Sequence, residues 1–363
     1  MPRGIIDSTT LIDSPANIDA NYVRTLENAR GMSFQSALES IDSRLNAVAQ
    51  VADPLVAALV SFTTEPTVDG NTPTAFDLEE ETEYGLARPE FSEKRAHMLP
   101  FRRYQKALGF TETWLEEDAT EAEVLRQTDN MLATFVRGGR LMVLRRLTDD
   151  AEWYVDRKTT ALSPGFAGSG SGDNAFSGTY PDGTALPGGY THYFRDTTAN
   201  RAATIATQVA RLQRWHPGPF DLIGSAAEVA AIAALAGFTP SGSALIVPAQ
   251  GDAVAQVDRT RYLGVYNAGD GSADVRVWHS LLELGSSANF AIFKTYGNFD
   301  ARNALAWRYS PRFGRGVELR FRSLFPLDAA YLRYRFGVGV RDRTGATLTT
   351  VAASGDYTPP SIA

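Results

Sequence analysis

At 363 residues, 44% of them hydrophobic and 21% charged, the chain has material for two or three ordinary domains or for one elaborated domain with long arms. A formal charge of -7 at pH 7 excludes a protein whose whole surface binds nucleic acid and leaves room for local basic patches only. With no cysteine, disulfides, thiolate catalysis and cysteine-ligated zinc or iron–sulfur centres are excluded.

Residues 1–32 are polar and irregular, carry no hydrophobic signal core, and read as an extended arm. An amphipathic helix follows, with Phe34, Leu38, Ile41, Leu45, Val48, Ala52, Leu55 and Leu59 at alternating four-and-three spacing. Pro54 breaks or kinks it, and Asp53 is placed to cap the second piece. The seam docks either on the protein's own core or on a neighbouring copy.

Residues 63–118 carry little core and are punctuated by Pro66, Pro73, Pro89 and Pro100. An acidic cluster (Asp77, Glu79, Glu80, Glu81, Glu83) precedes a basic one (Lys94, Arg95, Arg102, Arg103, Lys106). A long two-stranded excursion suits this composition better than a structureless loop, and it would need another surface to rest on. Thr120 and Glu123 form a capping box that opens a helix to about Asp149. Its apolar members are Val124, Leu125, Met131, Leu132, Phe135, Leu144 and Leu147, and Gly138-Gly139 mark a bend or close packing.

From Ser163 to Gly189 glycine, serine and proline dominate, as in a flexible surface loop. A second amphipathic helix spans 199–215, with Ala203, Ala206, Val209, Ala210 and Leu212 apolar. Phe220 to Ile223 reads as a strand, Ala226 to Leu235 as an alanine-rich helix, and hairpin strands flank residues 267–271. The longest apolar run, Ala226 to Phe238, is interrupted by Glu228 and falls short of the roughly 18–20 residues that span a bilayer. A soluble protein with no membrane partner is expected.

The strongest pattern lies between Val317 and Val351, where two strands of strict alternation are joined by a short turn. Val317, Leu319, Phe321 and Phe325 take one face and Glu318, Arg320 and Arg322 the other. In the second strand Leu332, Tyr334, Phe336, Val338 and Val340 share a face, opposite Tyr331, Arg333, Arg335, Arg341 and Arg343. The arginine face is too charged to line its own core, so water or something acidic lies against it. The tail, Ala353 to Ala363, reads as loose.

No catalytic constellation emerges. His97, His192, His216 and His279 are scattered, and none belongs to a metal-ligand pair at helical spacing. The glycines at 168–172 match neither a phosphate loop nor a nucleophile elbow, and the carboxylates at 77–83 read as a solvated or ion-paired surface. Neither an enzyme nor a cofactor is expected.

The helix opened by Thr120, the motif Thr191-His192-Tyr193, and the end segment Phe325-Pro326-Leu327-Asp328-Ala329-Ala330-Tyr331 to Arg335-Phe336-Gly337-Val338-Gly339-Val340-Arg341 resemble the major capsid proteins of tailed double-stranded-DNA bacteriophages, the Hong Kong type of capsid fold. The end segment carries most of the weight, and the resemblance covers roughly residues 75–350. It implies an α+β fold divided into an N-terminal arm and helix (1–62), an extended loop (63–118) and a spine helix with peripheral domain (119–216). An axial domain (217–312), return strands (313–352) and a tail (353–363) complete it.

The resemblance further implies a virion shell protein, assembled in the host cytoplasm into pentamers and hexamers around packaged double-stranded DNA. Scaffolding protein, portal and decoration protein are the implied partners. The acidic loop would meet an arginine face such as Arg320, Arg322, Arg333, Arg335, Arg341 and Arg343 between subunits. A rival use of that face is an inner wall touching DNA phosphates. Some members join subunits by a lysine–asparagine bond. Lys94, Lys106, Asn298 and Asn303 are placed for it by order alone, and no covalent chemistry is assigned. A nanocompartment shell or gene-transfer particle keeps the fold with other cargo; a carbohydrate-active enzyme is the rival of another class.

Overall fold

The computed structural model describes residues 53–69, 96–111, 120–157, 161–168, 180–181, 184–187, 189–197, 200–241, 262–269, 271–279, 282–285, 288–312, 318–324 and 327–362; at 69, 107–111, 121, 282, 318–324 and 327–330 it describes the backbone alone. The arm and most of the expected N-terminal seam therefore lie outside the described residues.

Helix α1, Pro54–Leu59, opens on a proline whose fixed φ and missing N–H suit a first helical position. The helix expected to reach residue 62 stops at Leu59, and strand β1, Val60–Thr63, follows at once. Tertiary bonds decide this boundary: the Phe299 N–H donates to the Ala57 carbonyl (2.7 Å), and the Asn303 amide donates to Ala57 (3.4 Å) and Val60 (3.3 Å). Strands β2 (Thr67–Asp69) and β3 (Ala96–Met98) pair antiparallel, as the foot of a two-stranded excursion would; residues 70–95 lie outside the described residues. Strand β4, Arg102–Thr111, is a ten-residue strand within the stretch expected to be a two-stranded excursion, and its described partner is β15.

Helix α2, Glu121–Thr148, starts where the capping box predicts, with the Glu123 N–H donating to Thr120 Oγ1 at 3.3 Å. It runs through both central glycines, and open space surrounds Gly138 where a Cβ would stand, so close packing does not explain that glycine. A small hairpin follows, β5 (Trp153–Tyr154) with β6 (Leu162–Ser163). Next come β7 (Tyr193–Asp196), α3 (Arg201–Gln213), β8 (Phe220–Gly224), α4 (Ala226–Ala233) and β9 (Phe238–Pro240). Strands β10 (Tyr262–Tyr266) and β11 (Val275–Trp278) form the expected hairpin, then β12 (Asn289–Phe293), β13 (Leu305–Tyr309), β14 (Glu318–Leu324), β15 (Leu327–Val340) and β16 (Ala346–Val351) close the order.

The described chain forms two units. The first takes Phe101–Arg140 and Tyr309–Gly337, with Asp53; its strands run β14-β15-β4, all antiparallel. The β14–β15 hairpin has Leu324 opposite Leu327, and Phe325, expected on the first strand, lies outside the described residues. On one face of β15, Tyr334 packs edge-on against Phe135 of α2 (6.2 Å between centroids) and Phe336 lies 4.9 Å from Tyr104 of β4. Arg140 and Asp53, both nearly enclosed, pair at 3.1 Å.

The second unit takes Pro54–Pro100, Leu141–Arg308 and Val338–Ala363. Its mixed seven-stranded sheet has the order β7-β16-β12-β8-β11-β10-β9. Ile205, Val209 and Leu212 of α3 and Val229 and Ile232 of α4 pack on Phe220, Leu222, Val275, Val277, Phe290 and Ile292. The seam of α3 differs from the expected one: Ala203 and Ala210 are exposed, while Gln208 is buried because Thr347 and Thr349 of β16 hydrogen-bond its amide. Strand β16 lies between β7 and β12, so the chain leaves the arginine strands and ends in this larger sheet.

Two segments expected to be loose are packed here. Ser163, Phe166 and Ala167 are fully buried and Tyr180 nearly so, inside the stretch read as a surface loop. In the tail, Tyr357 donates to the Thr148 carbonyl (2.5 Å), Thr350 and Thr358 bond each other, and Arg145 donates to the Ile362 carbonyl (3.3 Å). Ile362 itself is buried.

Candidate inter-subunit surface

In an antiparallel pair, residues opposite each other share a face. Register places Arg333 opposite Gln105 of β4 and Glu318 of β14, Tyr331 opposite Ala107 and Arg320, and Arg335 opposite Arg103. Arg322 stands opposite Ala329. Arg103 and Gln105 are exposed, and Tyr331, Arg333 and Arg335 are half-buried. On the other face Tyr334 and Phe336 pack on each other and Tyr334 on Phe135 of α2, but Lys106 and Arg102 of β4 stand on that face too, opposite Leu332 and Phe336, so the expected alternation holds along β15 and not across the sheet.

The Arg335–Arg103 pairing sets two like charges directly across a strand pair, an arrangement that destabilises an isolated sheet. Nε of Arg333 is also enclosed, with no hydrogen-bond partner among the described residues. An unmade bond of this kind costs about 1–3 kcal/mol, and an anionic neighbour against this face would offset the like-charge term. Arg103 and Gln105 were not legible as part of this surface; the only signal was weak alternation across Arg103, Tyr104, Gln105 and Lys106. The acidic residues Asp77, Glu79, Glu80, Glu81 and Glu83 lie outside the described residues, as do the side chains of Arg320 and Arg322.

Arg341 and Arg343 do not belong to the cationic face. Strand β15 ends at Val340, and Arg341 to Gly345 form a turn. Arg341 donates to Ser61 Oγ (3.3 Å). Arg343, 6% exposed, donates from Nε to the Gly165 carbonyl (3.0 Å) and from Nη2 to the Phe166 carbonyl (3.5 Å). Alternation stops being informative there because Phe336 to Val340 are all buried, on both faces of the strand.

The histidines with the best-defined surroundings are structural. His192 is fully buried; its Nδ1 lies 2.8 Å from the Ala346 carbonyl, which can only accept, so Nδ1 carries the hydrogen. Nε2 then accepts from Tyr190 Oη (2.8 Å), whose oxygen accepts from Trp215 Nε1 (2.8 Å). Burial drives the His192 pKa down to about 3, so this part of the Thr191-His192-Tyr193 motif is a neutral brace between β7 and β16. Asn303, one of two asparagines placed by order for a cross-link, is 0% exposed. Its amide nitrogen gives hydrogen bonds to Ala57, Val60 and Gly297, and its oxygen accepts from the Tyr296 N–H.

Three of the buried carboxylates are committed too, while among the described residues the Asp196 carboxylate accepts only from the Thr197 N–H through Oδ1 (2.7 Å). Glu228 takes Arg201, Asp221 takes Arg276 and Trp278, and Asp342 takes Thr344. Among the described residues no group of three or more His, Cys, Asp or Glu is placed to hold a metal, and no helix is long and apolar enough to cross a membrane.

No protein-family model matches the chain, and no curated protein matches it. Among solved structures, that of Mycobacterium phage Patience aligns over 92% of this chain and 92% of its own, with 20% identity and a TM-score of 0.62. The capsid of an empty GTA particle computed with C5 symmetry aligns over 94% of this chain and all of its own, at 13% identity and a TM-score of 0.47. A virus-like particle from Pyrococcus furiosus aligns over 86% and 98%, at 12% identity and a TM-score of 0.41. The first likeness shows the fold shared with that structure, a long helix with mixed sheets in an α+β architecture.

Proposed function

We propose that this chain is a structural shell protein, without enzymatic activity, that self-assembles into the pentamers and hexamers of an icosahedral phage head enclosing double-stranded DNA. The observation that carries the reading is the fold shared with the Mycobacterium phage Patience structure across 92% of both chains. The end-segment motif supports it independently, because it drew the same assignment from residues alone. Assembly in the host cytoplasm, with scaffolding protein, portal and decoration protein as partners, belongs to the same proposal.

Within it, the arginine face meets the acidic segment Asp77 to Glu83 of a neighbouring subunit. Exposed ion pairs contribute only about 0–1 kcal/mol each, so the contact depends on several acting together, repeated around a closed shell. The half-burial of Arg333 and Arg335 and the like-charge pairing with Arg103 favour a fixed anionic partner over transient phosphate contacts.

Expression of the chain alone and with candidate scaffolds, followed by electron microscopy and size-exclusion chromatography, tests the shell. Closed particles or five- and six-membered rings support it; a monomer under every co-expression condition refutes it. Nucleic acid inside purified particles separates a viral head from a nanocompartment. For the arginine face, Arg335→Glu should weaken assembly of a still-folded subunit, and reversal of one facing carboxylate of the acidic segment to lysine should restore part of it. Normal assembly of Arg335→Glu would remove the contact from the proposal and leave the shell standing.

A further inference from the structure

The turn Arg341 to Gly345 holds the end of the chain to the second unit at several points. The N–H groups of Arg341 and Asp342 donate to the Ala304 carbonyl (2.8 and 3.1 Å), and the Lys294 N–H donates to the Gly345 carbonyl (3.0 Å). Side chains complete the anchorage around His216, which follows α3 and is 5% exposed. Its Nε2 lies 3.0 Å from Thr344 Oγ1 and 3.4 Å from Asp342 Oδ2, and its Nδ1 lies 2.9 Å from Tyr296 Oη.

The hydrogens of this cluster can be assigned. Thr344 donates both its N–H (2.9 Å) and its hydroxyl (2.7 Å) to Asp342 Oδ1. The hydroxyl oxygen then has only lone pairs to offer, so Nε2 of His216 must donate to it. Nδ1 is left with its lone pair and accepts from Tyr296. With the imidazole neutral, every polar atom of the cluster is satisfied. We infer that His216 is an acid-sensitive latch: in its neutral form it holds the turn between β15 and β16, and protonation of Nδ1 at mildly acidic pH loosens that turn.

A proton on Nδ1 would remove the lone pair to which Tyr296 donates, so the phenol hydrogen must rotate off the ring and find another acceptor. It would also add a positive charge where one exists. Lys294 is 7% exposed, donates to the Pro219 carbonyl (3.1 Å), and lies 5.2 Å from the centre of the Tyr296 ring. Other charged and titratable groups surround the site. Asp342 favours the proton, and Arg343 on the same turn is bonded away from it. Arg302 stacks on Tyr296 and is paired with Asp300, and His192 is neutral. Burial is the largest influence on His216 and lowers its pKa; the Asp342 charge opposes it and Lys294 adds to it. With the latched pKa below the ordinary 6.5, the released state binds more protons below that pH. The latched state therefore loses stability as pH falls from about 6.5 toward the latched pKa.

Hydrogen exchange followed by mass spectrometry on the full chain, corrected for intrinsic rates, reads the latch directly. Protection of residues 341–350 should fall as pH drops from 7.5 to 5, by up to about tenfold per unit for one linked proton. His216→Gln should be pH-independent in that segment over the same range. Exchange at the imidazole carbon of His216 in the unaltered chain gives its pKa even if the variant fails to fold. A His216 pKa at or above 6.5, or an unchanged pH dependence in His216→Gln, would overturn the inference. The readout concerns the subunit alone, so it stands or fails separately from shell assembly.

Discussion

Arg201 is the first residue of α3, where the helix dipole disfavours a cation, yet it is held there by Glu228 in the first turn of α4. Nε and Nη2 of Arg201 donate to the two carboxylate oxygens at 2.7 and 2.9 Å, and the two side chains are 10% and 5% exposed. Arg201→Met leaves a buried carboxylate with no counter-charge. Breaking such a pair by removing one partner costs about 3–5 kcal/mol, whereas replacing both by apolar residues of similar volume is often near neutral. Arg201→Met and Glu228→Leu should each lose about 4 kcal/mol, and the double variant should lie within about 1 kcal/mol of the parent. Urea unfolding of dissociated subunits is the assay. At a slope of about 2 kcal/mol per molar urea the single variants shift the midpoint by about 2 M. Losses under about 1 kcal/mol in the singles, or a double variant as weak as the sum of both, would refute the reasoning.

Two further changes probe the packing that the composition hid. Tyr357→Phe removes one hydrogen bond, to the Thr148 carbonyl, and should cost about 1 kcal/mol; Tyr357→Ala also opens the small cavity lined by Leu147, Phe290 and Thr349 and should cost about 3–5 kcal/mol by thermal unfolding. Gly237 has φ of +96°, and a Cβ there would lie 2.5 Å from the Asn267 carbonyl oxygen, so Gly237→Ala should lose at least about 2 kcal/mol in the same assay. A loss below about 0.5 kcal/mol would mean that the β9–β10 edge can shift freely.

The parts of this chain legible in its sequence are those governed by local periodicity or local bonds. Thr120 and Glu123 announce the start of α2 because a cap involves only the first turn. Tyr331 to Phe336 alternate because one face packs on aromatics and the other does not. Periodicity carried past Val340 misplaced Arg341 and Arg343, since a turn begins there and nothing local distinguishes a buried arginine from a surface one. Nothing local marks Gln208 as a core position of α3, because its satisfaction comes from Thr347 and Thr349, about 140 residues away. Composition reads the tail as loose, although Tyr357 and Ile362 help to anchor it. Of the candidate surface, the arginines on β15 were visible and their neighbours on β4 were not, because only strand pairing unites them.

That pairing has a kinetic side. Strand β4 is made early, and its partner β15 is made roughly 220 residues later, with Leu327 opposite Thr111 and Phe336 opposite Arg102. At ribosomal speeds of about 5–20 residues per second, β4 waits on the order of 10–45 s with its hydrogen-bonding edge unanswered. Such non-local closure is slow even once the full chain is free. A chain that stops short of residue 327 never covers that edge. In a cell making many copies of one protein, these unfinished chains are the species most exposed to mispairing with one another.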